Sequence, residues 1–211
     1  MAFWPNHYSS YPDLVDGLVR AGTLKSPHLI KAFKSIDRIQ FVPPALIDQA
    51  YGNFPLDIGH GQTISQPTTV AIMLELLQPK AGQNILDVGS GSGWTTALLA
   101  TVVGVDGRIV GTEIKSGLVR LGQNRLEKMK LRQATIHYTP GRLGYVKAAP
   151  YDRILVSASA DSIPDELIKQ LKSPGQMVVP VKNSLFKIVK DPFGRIKSEE
   201  HYGFVFVPLL N

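Results

Sequence analysis

Beyond residue 80 the sequence alternates short apolar runs with amphipathic stretches, and no other feature restricts the possible folds as much. The runs at 85–88, 109–114, 135–138, 153–157 and 177–181 have strand length. The stretch opening at Gly93, the one running through Leu126 and the one at 164–171 carry apolar residues at helical spacing. Strand, helix and strand in succession form right-handed crossovers, which predicts an α/β fold with a mostly parallel sheet and helices on both faces. Two further runs, 185–189 and 204–209, follow turn signals (Asn183-Ser184, Asp191-Pro192, Phe193-Gly194) with no helix between them. They are expected to complete a seven-stranded sheet as antiparallel strands. Such a sheet holds its ligands beyond the carboxyl ends of its strands.

Before residue 80 the pattern is helical. Leu14, Leu18 and Ala21 share one face and Leu29, Ile30 and Phe33 another, with breaks at Gly22, Pro27 and the Pro43-Pro44 pair. Pro67 is placed to open a further helix with Val70, Met73, Leu74 and Leu77 on one side, ending before Pro79. A length of 211 residues suits one domain, read here as a helical N-terminal lobe with the active-site segment (1–79), a cofactor-binding core (80–182) and C-terminal strands (183–211).

Composition removes several chemistries. With no cysteine, the chain has no disulfide, no thiolate metal ligand and no cysteine nucleophile. The five histidines are scattered without ligand spacing, so no metal is expected. Net charge is +6, yet the basic clusters at Lys128, Lys130 and Arg132 and at Lys187 and Lys190 lack interleaved aromatics and read as solvated faces, not a nucleic-acid platform. No apolar stretch is long enough to span a membrane, and residues 1–7 lack the basic start and apolar run of a secretory leader, so a cytoplasmic protein is expected; a monomer is expected as well.

The stretch Asn84-Ile-Leu-Asp-Val-Gly-Ser-Gly-Ser-Gly-Trp94 runs an apolar strand into Gly89-x-Gly91-x-Gly93 and a helix. Glycine permits the tight turn and the close backbone approach that a flat cofactor demands. A dinucleotide fingerprint would need a glycine at position 94, where Trp94 stands instead. The shorter turn, including Ser90 and with Asp87 at the strand end, fits S-adenosylmethionine better; Asp87 is alternatively a cap for the loop. Glu113, 20 residues beyond Gly93 and beside Ile114, is placed to meet ribose hydroxyls, or else to face a helix N-terminus.

Upstream lies the polar, glycine-spaced stretch 56–67, in which Ser65 could cap the helix opened by Pro67. Together with Asp37-Arg38-Ile39-Gln40-Phe41-Val42-Pro43, the Gly61-Gln62-Thr63-Ile64-Ser65-Gln66-Pro67 segment resembles the protein-L-isoaspartate O-methyltransferases. The likeness continues through 85–93, Ala149-Pro150-Tyr151-Asp152, Ile163-Pro164 with Gln170-Leu171, and Phe206-Val207-Pro208-Leu209. It implies a Rossmann-like, class I S-adenosylmethionine-dependent methyltransferase that esterifies the free α-carboxylate of L-isoaspartyl residues in damaged proteins, releases S-adenosylhomocysteine and leaves an ester that collapses to a succinimide. It also implies that Thr63, Ile64, Ser65 and Gln66 border the methyl donor, with Ser65 in the active site.

A carboxylate with a pKa near 4 is already ionised at neutral pH and needs no general base. Cytosine C5 methylation would require the missing cysteine, and the adenine-methylating Asn/Asp-Pro-Pro-Tyr motif is replaced by Ser157-Ala-Ser-Ala160. Two positions depart from the family pattern. Pro140, followed by Gly141, stands where the resemblance implies an aspartate at the adenine end, and Leu210 stands where a threonine is usual.

Overall fold

A computed structural model describes residues 7–210; of the segment read for a leader, residues 1–6 lie outside that range. The N-terminal lobe comprises helices α1 (Tyr11–Arg20) and α2 (Pro27–Ser35), two 3-10 turns, a hairpin of β1 (Leu56–Gly59) and β2 (Gln62–Ile64), and helix α3 (Pro67–Leu77). Ser10 caps α1 by accepting from the Asp13 amide, and the spacing of Leu14, Val15 and Leu18 gives the helix its buried side. At α3 the cap position falls on Gln66 and Pro67 supplies the first turn, so Ser65 is not the helix cap.

The remaining elements alternate as the periodicity predicts. They are β3 (Asn84–Val88), α4 (Trp94–Val103), β4 (Arg108–Glu113), α5 (Ser116–Lys128), β5 (Ala134–Tyr138), β6 (Tyr151–Val156), α6 (Asp165–Gln170), β7 (Leu171–Val181), β8 (Ser184–Lys190) and β9 (Ile196–Tyr202). Seven strands form one sheet in the order β5-β4-β3-β6-β7-β8-β9, parallel from β5 to β7 and antiparallel through β8 and β9. One core joins the lobe and helices α3 to α5 to the sheet face that carries Ile85, Ile109 and Leu155. The second packs Leu167 of α6 against the opposite face, on Leu86, Val110, Ile154 and Val156. No helix among the described residues is long and apolar enough to cross a membrane.

One expected strand is misplaced. The sheet closes on β9 (Ile196–Tyr202), not on 204–209. Asp191 organises the preceding turn: its carboxylate accepts from the amides of Phe193 and Arg195, which brings Ile196 opposite Lys190 and fixes the register. Because β9 is an exposed edge strand of sequence Ile-Lys-Ser-Glu-Glu-His-Tyr, it carries no apolar alternation for the sequence to display. Residues 204–209 instead fold back over the strand ends, where the Ser159 amide donates to the Val207 carbonyl and the Leu209 amide to the Ser159 carbonyl.

Candidate active site

The turn after β3 is built on glycine for two separate reasons. Gly89, Gly91 and Gly93 adopt φ of 77°, 52° and 91°, a region that side chains disfavour. In addition, a Cβ on Gly91 would come within 3.2 Å of Ile58 Cδ1, and one on Gly93 within 3.2 Å of Gly122 Cα. The close packing of α4 is therefore made at Gly93 against α5. Trp94 turns away into the N-terminal lobe, where its indole N–H points to the Ile36 carbonyl at 3.4 Å and its ring meets the Phe33 ring edge to face.

The two acids divide the work of holding this turn. Asp87 is fully buried beneath it; Oδ2 accepts from the hydroxyls of Thr95 (2.9 Å) and Thr96 (2.6 Å), while Oδ1 has no partner among the described residues. Burial pushes its pKa up to about 6, against the lowering effect of the Thr96 and Thr95 hydroxyls and with a further rise from Glu113. Glu113 ends β4 and accepts three amides, those of Ile114 and Lys115 on Oε1 and that of Gly91 on Oε2. A carboxylate has about four acceptor positions, so Glu113 keeps one open at Oε2. Glu113 thus ties down the turn that leads into α5, without capping the helix itself, and retains a lone pair for a ligand hydroxyl.

How the upstream segment is held is visible only in the structure. Arg38, completely buried, sends its guanidinium into a ring of backbone carbonyls: Ala50 and Gly52 from one nitrogen, Phe54 and Ser65 from the other, at 2.8 to 3.2 Å, with Ile64 at 3.5 Å. Burial brings its pKa down to about 10, and it stays charged at neutral pH. One side chain thereby fixes the path from residue 50 to Ser65.

These parts meet around one cavity at the carboxyl ends of the central strands, enclosing about 800 Å³ with its mouth included. Of the residues expected from sequence, Thr63, Ile64, Ser65, Gly89, Ser90, Gly91, Glu113 and Ile114 line it. Asp87 and Gly93 do not, because they support the turn from behind. Gln66 is taken up as the cap position of α3. Pro140 and Gly141 also lie outside the walls, at an exposed corner closed by the Arg142 amide on the Thr139 carbonyl. Proline first and a glycine at φ of 69° second are what a type II turn requires.

Sequence reading missed Thr139, Arg142, Ser157 and the strap 207–210, all of which line the cavity. Only the closing apolar run could have pointed to the strap. Among the described residues, Glu113 and Arg142 are the only charged side chains in the walls. Lys130 and Arg132 lie elsewhere, with Arg108 around an open cleft near the amino ends of β4 and β5.

Comparison with known proteins identifies the family of the chain. The family model of protein-L-isoaspartate(D-aspartate) O-methyltransferase matches residues 9–211. The protein-L-isoaspartate O-methyltransferase of Methanopyrus kandleri is 42% identical over 202 residues, covering 93% of this chain and 89% of the relative. That of Pyrococcus abyssi is 36% identical over 208 residues, covering 96% and 95%. A Plasmodium falciparum protein-L-isoaspartate O-methyltransferase, solved with S-adenosyl-L-homocysteine, shares the fold at a TM-score of 0.84 and 24% identity, covering 96% of this chain and 99% of that one. With a matching family model over nearly its whole length and relatives this similar, the chain belongs to the protein-L-isoaspartate(D-aspartate) O-methyltransferase family.

Proposed function

We propose that the chain transfers the methyl group of S-adenosylmethionine to the free α-carboxylate of L-isoaspartyl residues in proteins and peptides, with Ser65 orienting the acceptor. The observation that carries this reading is a cavity whose walls join the glycine turn and Glu113 to Thr63, Ile64 and Ser65. The walls suit the donor. A turn without side chains at Gly89 and Gly91 lets a flat group lie against the backbone, the open acceptor position of Glu113 suits a ribose hydroxyl, and the unpaired oxygen of Asp87 lies behind the turn.

When bound, S-adenosylmethionine supplies a methyl carbon on a positively charged sulfur: a carboxylate lone pair forms the new O–C bond while the C–S bond breaks toward sulfur, giving a methyl ester and S-adenosylhomocysteine. Because the acceptor is ionised at neutral pH, no wall residue has to remove a proton. The protein's task is alignment, which can supply about 7–11 kcal/mol. The Ser65 hydroxyl makes no hydrogen bond to the described residues, and Arg38 holds the Ser65 carbonyl in place. The strap 207–210 folds over the strand ends and supplies one wall of the cavity. The same reading treats the chain as one cytoplasmic, monomeric unit acting on isoaspartyl proteins.

The test is methylation of paired peptides that differ only in an isoaspartyl or an aspartyl linkage. Turnover of the isoaspartyl peptide alone is expected, with Ser65→Ala losing turnover more than affinity for S-adenosylhomocysteine. Equal methylation of both peptides, or transfer only to nucleic acid, would overturn the reading.

A further inference from the structure

Two side-chain oxygens beside the cavity, Asp87 Oδ1 and Ser157 Oγ, are buried with no hydrogen-bond partner among the described residues. Buried polar atoms in native proteins are seldom left unpaired, so each is a place where a water or a ligand group would complete the bonding. Asp87 lies behind the glycine turn and outside the cavity walls. Ser157 lines the cavity itself, and the mechanism above does not use it.

Its position is set by the sheet. Ser157 follows β6, and its amide donates to the Val88 carbonyl at 2.9 Å, so the chain still runs alongside the end of β3. Leu155 belongs to the core under the N-terminal lobe and Val156 to the opposite one. By the alternation of a strand, Ser157 then turns to the face of Leu155, which the lobe and α3 cover. A Cβ on Gly89 would lie 3.9 Å from Ser157, so this serine abuts the donor turn. Two residues on, Ser159 binds Val207 and Leu209 through its backbone and draws the strap over the same end.

We propose that Ser157 is a second acceptor-binding hydroxyl, which donates to the oxygen of the isoaspartyl α-carboxylate that does not attack while Ser65 orients the same group. The proposal rests on the methyl-transfer reading given above. A carboxylate offers about four acceptor positions on two oxygens, and a hydroxyl carries one O–H to give. Placed on the distant oxygen, that bond fixes the group without occupying the lone pair that reaches the methyl carbon. Neutral hydroxyls suit this place better than cations, because a cation beside the cofactor's positive sulfur would oppose donor binding.

The experiment compares wild type, Ser157→Ala and Ser157→Thr by three measurements: titration with S-adenosylhomocysteine, titration of the S-adenosylhomocysteine complex with an L-isoaspartyl hexapeptide, and steady-state methylation of that peptide. Melting curves establish that each variant is folded. Ser157→Ala is expected to weaken peptide binding and lower kcat/KM by about 10- to 100-fold, the loss of one hydrogen bond to a charged group, with S-adenosylhomocysteine affinity unchanged. Ser157→Thr keeps the hydroxyl and retains peptide binding. Unchanged peptide affinity in Ser157→Ala would overturn the proposal, as would an equal loss of S-adenosylhomocysteine affinity, which would assign the hydroxyl to the donor side or to the fold. Wild-type protein that neither binds nor methylates the isoaspartyl peptide would overturn the methyl-transfer reading and this proposal together, an outcome visible before any variant is made.

Discussion

Substituting Asp87 by asparagine tests how much stability the site sacrifices. The carboxylate is fully enclosed, with two threonine hydroxyls on one oxygen and none on the other, and its pKa is raised from 3.8 to about 6, chiefly by burial. An acid whose folded pKa lies above its unfolded value contributes stability that is fully present below the unfolded pKa and is lost as pH rises through the folded one. The window is therefore about pH 4 to 6. At about 1.4 kcal/mol per pKa unit, the ionised carboxylate costs the native state about 3 kcal/mol at pH 7 compared with pH below 4. Asp87→Asn removes the titration. The amide brings a constant offset of its own, but the stability of the variant relative to wild type rises by about 3 kcal/mol from pH 4 to pH 7, or about 6–12 °C in Tm for a chain of this length. Thermal or urea melts of both proteins at several pH values across that window measure the gap directly. A gap independent of pH, or one that narrows as pH rises, would show that ionised Asp87 does not destabilise the native state. The same change removes a negative charge from beneath the turn, so S-adenosylmethionine, with its cationic sulfur, loses more affinity than S-adenosylhomocysteine.

Other residues give sharper single readouts. Glu113→Gln replaces an acceptor with a donor where the Gly91 amide and, on the proposed reading, a ribose hydroxyl both need an oxygen, so S-adenosylhomocysteine affinity measured by calorimetry falls about 10- to 100-fold. Arg38→Lys cannot reach the same set of carbonyls and leaves several buried without a donor; melting curves then show a loss of about 3 kcal/mol, and turnover falls further than cofactor affinity because the path to Ser65 loosens. Pro140→Ala at the exposed turn corner lowers stability by about 0.4–1 kcal/mol while leaving S-adenosylhomocysteine affinity unchanged, as titration and melting of the same sample would report.

The alternation of apolar runs beyond residue 80 determined the parallel core by itself, because strand and helix differ in period and each crossover has a single hand. Local chemistry also located the glycine turn, the acid closing β4 and the proline opening α3, since each depends on a residue's own conformational limits or charge. Strand β9 was hidden, as its partner and its register come from the Asp191 turn and not from any pattern of its own. Three further features belong to tertiary structure alone: the Arg38 clamp on carbonyls as far away as Ser65, the division of labour between Asp87 behind the turn and Glu113 in the wall, and the meeting of Ser65 with Ser157 and the strap around one cavity. The physical reason is distance along the chain. A hydrogen bond between residues 27 positions apart, or a wall assembled from several separate segments, leaves no periodic trace, and burial together with the search of each polar atom for a partner decides which residues meet.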